Sequence, residues 1–234
     1  MIISPDIEIA EDILRILKYP GSSGVLPVFG GDYQILSLKI NADCPLIDVP
    51  LIQYERHDPD LQVAFVNVTR GRECFIPEMY DSLEVGDEIN ILVKTSEIYN
   101  TIRAFGLEKP GNERIVIFGG NEIAQYMGRQ IEHDDSVVSC KIIEEDINLA
   151  RKIARDLTHI IVIQGEMMSD LILSEADISH ADASIAVTDN DKDNLLASLL
   201  ATKSGVHSTI SVVNTPSYNC LLYTSDAADE ARSV

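Results

Sequence analysis

Hydrophobic residues change their spacing about halfway along the chain. From Arg114 onward, short apolar runs alternate with segments whose apolar residues recur every three or four positions. Buried strands alternating with amphipathic helices are typical of a parallel sheet covered by helices, so this half predicts an α/β, Rossmann-like doubly wound fold. The predicted strands are Arg114–Phe118, Ser136–Ile143, His159–Gln164, Ala183–Val187 and Ser208–Val213, and the predicted helices are Glu122–Glu132, Ile147–Leu157, Asp170–Glu175 and Asp193–Ser204.

The first half of the chain predicts a compact α+β module instead. An apolar stripe of helical spacing starts after Ser4 and Pro5, which makes Ser4 the expected N-cap and Pro5 the first helical residue. Later runs are rich in β-branched residues and are bounded by Gly, Pro and Asp, as strands are. The predicted strands are Gln34–Ile40, Gln62–Thr69, Cys74–Ile76 and Glu88–Val93, and Glu97–Phe105 is a predicted helix.

A strand, a glycine turn and a helix follow one another in Ile115–Met127, IVIFGGNEIAQYM. This order is typical of a dinucleotide-binding turn, in which three glycines make the bend, admit the pyrophosphate and let the helix pack on its strand. Gly119 fills the first position, Asn121 the second and Ala124 the third. Asn121 places a side chain where glycine would admit phosphate, so we expect weakened rather than abolished binding; Gly120 adds local freedom.

Glu144 ends the second predicted strand of this half. An acidic residue about 20 positions beyond the first glycine grips the ribose hydroxyls of an adenosine cofactor in such folds. A carboxylate repels a 2′-phosphate, which favours NAD(H) or another adenine nucleotide over NADP. The alternative is that Glu144 is a solvated acid in the run Glu144–Asp146, where it could cap the next helix.

Charge and cysteine content disfavour several classes of partner and of site. The 234 residues carry a formal net charge of −20, which disfavours nucleic acid as a partner because phosphate binding needs many Lys and Arg residues. The four cysteines are scattered without metal-ligand or disulfide spacing, which indicates incidental thiols in a reducing compartment. No apolar run has the length of a membrane span and no signal peptide opens the chain, so a cytoplasmic location is expected.

The C-terminal residues have a pattern of their own. Cys220–Glu230 back-translates to TGT CTC TTA TAC ACA TCT GAC GCT GCC GAC GAR, which resembles a transposon-end and adapter oligonucleotide used to prepare sequencing libraries. We therefore expect residues 220–234 to be an adapter artefact and the biological chain to stop near Asn219.

From Glu113 to Asn219 the sequence resembles the second nucleotide-binding domain of the TrkA-type regulators of potassium conductance. The segments that carry the resemblance are VIFGGNEIAQYM, CKIIEEDINLARKIA, VIQGEMMSDLILSEADISHADASIAVTDNDKDNLLASLLA and VVNTPSY. This chain departs from the family pattern at Asn121, Glu166 and Met167, which bear on the pocket, and at Lys192. The resemblance implies a regulatory rather than a catalytic protein, whose binding residues are Gly119, Gly120, Asn121, Glu122, Ile123, Ala124, Glu144, Gly165, Glu166 and Thr188.

The resemblance also implies a division of the chain. Residues 1–23 correspond to the exit strand and helix of a truncated first nucleotide-binding domain. Residues 24–106 correspond to a TrkA-C-like subdomain, 107–112 to a linker and 113–219 to a second TrkA-N domain.

The implied ligand is NAD(H) or ATP/ADP, and the implied partner is an integral-membrane Trk potassium channel subunit. A homo-oligomer, a dimer or tetramer forming a ring at the inner face of the cell membrane, would control that channel. Two alternatives stay open: an NAD-dependent oxidoreductase, and an assembly module of the same family that binds no nucleotide. No metal site and no catalytic residue are predicted.

Overall fold

Two five-stranded sheets organise the described part of the chain. The computed structural model describes residues 5–54, 63–108, 114–134 and 136–214. One unit is formed by residues 11–111, and the other by residues 1–10 and 112–234. Ser4, the predicted N-cap, and the predicted adapter tail 220–234 lie outside the described residues.

The sheet of the first unit is antiparallel, with strand order β1-β2-β5-β3-β4. Its strands alternate buried and more exposed residues, so one face packs on a core that includes Leu36, Ile89, Ile91 and Phe105. The elements up to the end of this unit are α1 (Pro5–Lys18), β1 (Gly24–Val28), β2 (Tyr33–Lys39), β3 (Val63–Arg70), β4 (Glu73–Phe75), β5 (Glu88–Lys94) and α2 (Ile98–Ala104).

Strand β1 is the element that the sequence pattern does not reveal. Gly24 and Pro27 lie within it, and both residue types are rare in strands. Because β1 is at the edge of the sheet, it is a position where a proline, which has no N–H to donate, is tolerated. The assignment of residues 24–106 to a TrkA-C-like subdomain stays a prediction.

The buried carboxylate of Asp87 accepts several hydrogen bonds that stabilise the turn before β5. Asp87 is 1% exposed, and its two oxygens accept hydrogen bonds of 2.8 Å from Arg70 Nε and Nη2. Arg70 also donates to Glu84 and to the Ser82 carbonyl, and the Glu84 N–H donates to Asp87. Burial raises the pKa of Asp87, but the bonds from Arg70 and Glu84 outweigh it and hold that pKa below its ordinary value.

The sheet of the second unit is parallel throughout, with strand order β10-β9-β6-β7-β8. This confirms the predicted α/β class and the Rossmann-like parallel sheet. The central strands β6 and β9 are almost completely buried, as continuous apolar runs require. The elements are β6 (Arg114–Phe118), α3 (Glu122–Ile131), β7 (Ser139–Glu144), α4 (Ile147–Asp156), β8 (Ile161–Gln164), α5 (Asp170–Glu175), β9 (Ala183–Ala186), α6 (Asp191–Lys203) and β10 (Ser208–Ser211).

Of the boundaries that differ from the sequence prediction, two have a clear local reason. Helix α6 begins at Asp191 rather than Asp193, because the Asn190 side chain caps it by accepting from the Lys192 N–H. Strand β7 begins at Ser139 rather than Ser136, since Ser136 is held in a turn by the Asp134 carboxylate.

Replacing Asp87 with Asn should lower the free energy of unfolding by about 2–3 kcal/mol at pH 7, since it breaks a partly buried ion pair. The stabilisation from a lowered carboxylate pKa is complete above the ordinary value of about 3.9 and is lost as the pH falls through the folded value. Urea unfolding followed by circular dichroism from pH 7 to pH 2 should show the difference narrowing in acid. Glu88→Gln, which changes an exposed acid on β5, is the matched control. A difference that stays constant with pH would contradict the ion pair.

Gly21 allows a close backbone approach after α1. Its φ is +99°, and a Cβ there would lie 2.1 Å from the Leu107 carbonyl oxygen. Gly21→Ala should therefore destabilise the chain by more than about 2 kcal/mol in urea unfolding, because neither backbone can yield cheaply. Gly30, with φ of +73° and open space around it, is the control; Gly30→Ala should cost about 1–2 kcal/mol. Equal losses at the two sites would show that the contact is unimportant.

Candidate functional site

The chain bends sharply between β6 and α3. Gly119 has φ of +97°, a conformation that side chains rarely adopt, and a Cβ there would lie 3.0 Å from Thr188 Cγ2. Its N–H donates to the Ile143 carbonyl of the neighbouring strand at 2.9 Å. Gly120 is equally confined, because a Cβ would lie 2.5 Å from Ile153 Cδ1 and 2.7 Å from Glu144 Oε2. The two glycines are therefore required by close packing on both sides of the bend.

Asn121 is the N-cap of α3. Its Oδ1 accepts from the Ala124 N–H at 3.2 Å, which satisfies one of the N–H groups that a helix leaves free at its first turn. Its Nδ2 donates to the Val187 carbonyl at the end of β9. The side chain is thus held at both ends and bridges the first turn of α3 to the adjacent strand.

Glu144 lies against the same bend, at the carboxyl end of β7. Its Oε2 accepts from the Gly120 N–H at 2.7 Å, and its Oε1 accepts from the Asp146 N–H at 2.8 Å. Asp146, rather than Glu144, caps α4, by accepting from the N–H groups of Asn148 and Leu149. The acid is therefore fixed beside the glycine turn by the parallel pairing of β6 and β7.

A buried amide holds the loop after β9. Asn194 is completely buried, and its Oδ1 accepts from both the N–H and the hydroxyl of Thr188 at 2.7 Å. Its Nδ2 donates to the carbonyls of Thr188 and Val212 at 2.9 Å. This network fixes Thr188 opposite Gly119, so the loops after β6 and β9 have a defined spacing.

The chain segments after β6, β7, β8 and β9 border an open cavity of about 280 Å³ at the carboxyl ends of the strands. Parallel α/β sheets bind ligands at this edge. Leu149 and Met167 supply an apolar wall, while four carboxylates and, among the described residues, no basic side chain line the cavity. Its lining residues are Gly119, Gly120, Asn121, Glu144, Glu145, Leu149, Met167, Thr188, Asp189, Asn190 and Asp193.

Half of the sequence-predicted binding residues line this cavity. Ala124 contributes its N–H to Asn121 rather than a surface to the cavity, and Glu122 and Ile123 lie in the same helical turn. Gly165 and Glu166 follow β8 and do not line it; the Gly165 N–H donates to the Glu144 carbonyl. The predicted residues that line the cavity are Gly119, Gly120, Asn121, Glu144 and Thr188.

Six lining residues were not among the predicted binding residues, although Met167 was named as a departure from the family pattern that bears on the pocket. Asp189, Asn190 and Asp193 follow a parallel strand directly, and that position in the chain is the signal that could have identified them. Glu145 could be found in the same way after β7. Leu149 carries no such signal, because an apolar residue on a helix most often belongs to the core.

Other reactive side chains do not gather into a second site. Cys44 and Cys140 are buried free thiols, Cys74 is an exposed one, and burial raises the pKa of Cys140 to about 12. Within the described ranges, no group of three or more His, Cys, Asp or Glu side chains could hold a metal ion. No helix in that part of the chain is long and apolar enough to cross a membrane.

The comparisons with known proteins agree with the parallel α/β fold of the second unit. Residues 115–233 match the model of the TrkA-N domain. The Trk system potassium uptake protein TrkA of Azorhizobium caulinodans is 29% identical over 218 residues, covering 93% of this chain and 48% of the relative. TrkA of Halomonas elongata is 26% identical and is covered to 47%. The chain therefore spans about half the length of the curated relatives it matches.

Solved structures share the fold at low sequence identity. The crystal structure of the GsuK RCK domain superposes with a TM-score of 0.53 at 16% identity, covering 88% of this chain and 48% of that chain. The GsuK channel bound to NAD gives a TM-score of 0.52 at 16% identity, covering 88% and 40%. The structural similarity shows the fold alone. The family model, which matches half of the sequence, shows that this chain belongs to the TrkA-N domain family.

Proposed function

We propose that this chain is part of a regulatory subunit of a Trk-type potassium uptake system and that it binds NAD(H) or an adenine nucleotide. Family membership and relatives named as Trk potassium uptake proteins support the regulatory role. The main observation in favour of a nucleotide ligand is the position of Glu144. Its carboxylate lies against the Gly119–Gly120 bend, at the edge where parallel sheets bind ligands.

The residues of the cavity fit the nucleoside part of such a ligand. Carboxylate oxygens have lone pairs to spare after accepting one bond each, so Glu144 retains the capacity to accept from two ribose hydroxyls. Leu149 and Met167 offer an apolar surface for a base. A structure of the GsuK channel bound to NAD, which has the same fold, is consistent with this class of ligand.

The partner in this proposal is an integral-membrane Trk potassium channel subunit, contacted from the cytoplasmic face of the membrane by a ring of dimeric or tetrameric regulators. Nucleotide would act by binding one arrangement of the ring more tightly than another, since a ligand shifts an equilibrium only through differential affinity. ATP and ADP are included because the ribose and base are common to all these ligands.

The two alternatives are less well supported. The relatives carry the name of a potassium uptake protein rather than that of an enzyme, which favours regulation over an NAD-dependent oxidoreductase. An assembly module that binds no nucleotide is the stronger competitor, because Asn121 satisfies a helix N–H group from within the chain.

Filling the cavity should abolish the response to nucleotide. Leu149→Trp places a larger side chain in a cavity of about 280 Å³ and should weaken NADH binding at least roughly tenfold by calorimetry. Ile147→Trp, on an exposed position of the same helix, should leave the affinity unchanged. Equal affinities for the two variants would place the ligand elsewhere.

Potassium flux tests the regulatory part. In vesicles that contain the Trk membrane subunit, adding this protein should make flux respond to NADH and ATP, and Leu149→Trp should remove that response. Flux that is identical with and without the protein, at every nucleotide concentration, would refute the proposal.

A further inference from the structure

We infer that the cavity recognises the adenosine part of its ligand and that the phosphates add nothing to the affinity. The inference rests on the proposed function and narrows it. It follows from the bonds that three N–H groups of the turn, those of Gly119, Gly120 and Ala124, already make within the chain, and from the charge around them.

The groups that bind phosphate in this kind of turn are N–H donors at the start of the helix. Here the Ala124 N–H donates to the Asn121 carboxamide oxygen. The opposite end of that side chain donates to the Val187 carbonyl, so moving it away would break two hydrogen bonds at once. Asn121 thus occupies the Ala124 donor, and a phosphate would have to displace this side chain to reach that N–H.

The N–H groups of the glycine bend are also engaged. Gly119 donates to the Ile143 carbonyl at 2.9 Å, and Gly120 donates to Glu144 Oε2 at 2.7 Å. A phosphate approaching Gly120 would meet the Glu144 carboxylate on the same donor. Two like charges cannot share one N–H without a large electrostatic cost.

The negative charge around the cavity also disfavours phosphate. Glu144, Glu145, Asp189 and Asp193 face it, and no Lys, Arg or His is among its lining residues. A pyrophosphate would add negative charge to a negative surface, whereas a ribose is neutral and presents hydroxyl donors to carboxylate acceptors.

Calorimetry with adenosine, AMP, ADP and NAD tests the inference on the intact chain. We expect dissociation constants for adenosine and NAD that agree within about threefold. Asn121→Gly should tighten NAD binding by roughly tenfold, the worth of one hydrogen bond to a charged group, and change adenosine binding less than about twofold. Glycine is nearly as good an N-cap as asparagine, so the helix should persist.

Two further variants make the result unambiguous. Asn41→Gly makes the same replacement in the other unit, where Asn41 accepts from the Asp43 N–H, and should change neither affinity. Asp193→Asn removes one carboxylate from the cavity and should tighten NAD binding by about two- to threefold without affecting adenosine.

The outcomes separate the two proposals. Wild-type binding of NAD at least tenfold tighter than that of adenosine would overturn this inference and leave the proposed function intact, and so would an Asn121→Gly variant with unchanged NAD affinity. Binding of none of the four ligands would overturn the proposed function and the inference together.

Discussion

The hydrogen bond from the Gly120 N–H to the Glu144 carboxylate joins the first two parallel strands of the second unit at their carboxyl ends. It requires glycine at position 120, because any Cβ there would collide with Ile153 and with Glu144 itself. It also requires β7 to lie beside β6, since only adjacent parallel strands bring an acid at one strand tip to the turn after the other. This one hydrogen bond therefore accounts for the shape of the loop, for the need for glycine at position 120 and for the position of Glu144.

The same bond changes what the turn offers to a ligand. A phosphate-binding turn works by leaving N–H groups unpaired, but this chain pairs those of Gly119, Gly120 and Ala124 with its own oxygen atoms. The apolar side chains of Leu149 and Met167 and the carboxylate of Glu144 remain at the cavity beside these paired groups. Under the proposal made above, the departure from glycine at position 121 shifts the ligand preference of the turn rather than removing the site.

Much of the second unit could be predicted from sequence because its elements are strongly periodic: β6 and α5 have the predicted bounds, and the glycine turn and Glu144 follow from spacing. The bridge from Asn121 to Val187 could not, since it depends on β9 lying next to β6, an order that spacing along the chain does not fix. Leu149 could not be predicted either, because an apolar residue on a helix most often belongs to the core. In the first unit, β1 was missed because its Gly24 and Pro27 are tolerated by edge position alone.

The most direct measurement is the NMR chemical shift of the Gly120 and Asp146 amide protons during titration with adenosine. Both donate to Glu144, so a ribose that shares this carboxylate should move both resonances along one saturable curve. The amide of Gly86, in the other unit, should stay in place. If the Gly120 and Asp146 resonances stay unmoved while other amides saturate, adenosine does not bind at this turn and the account is wrong.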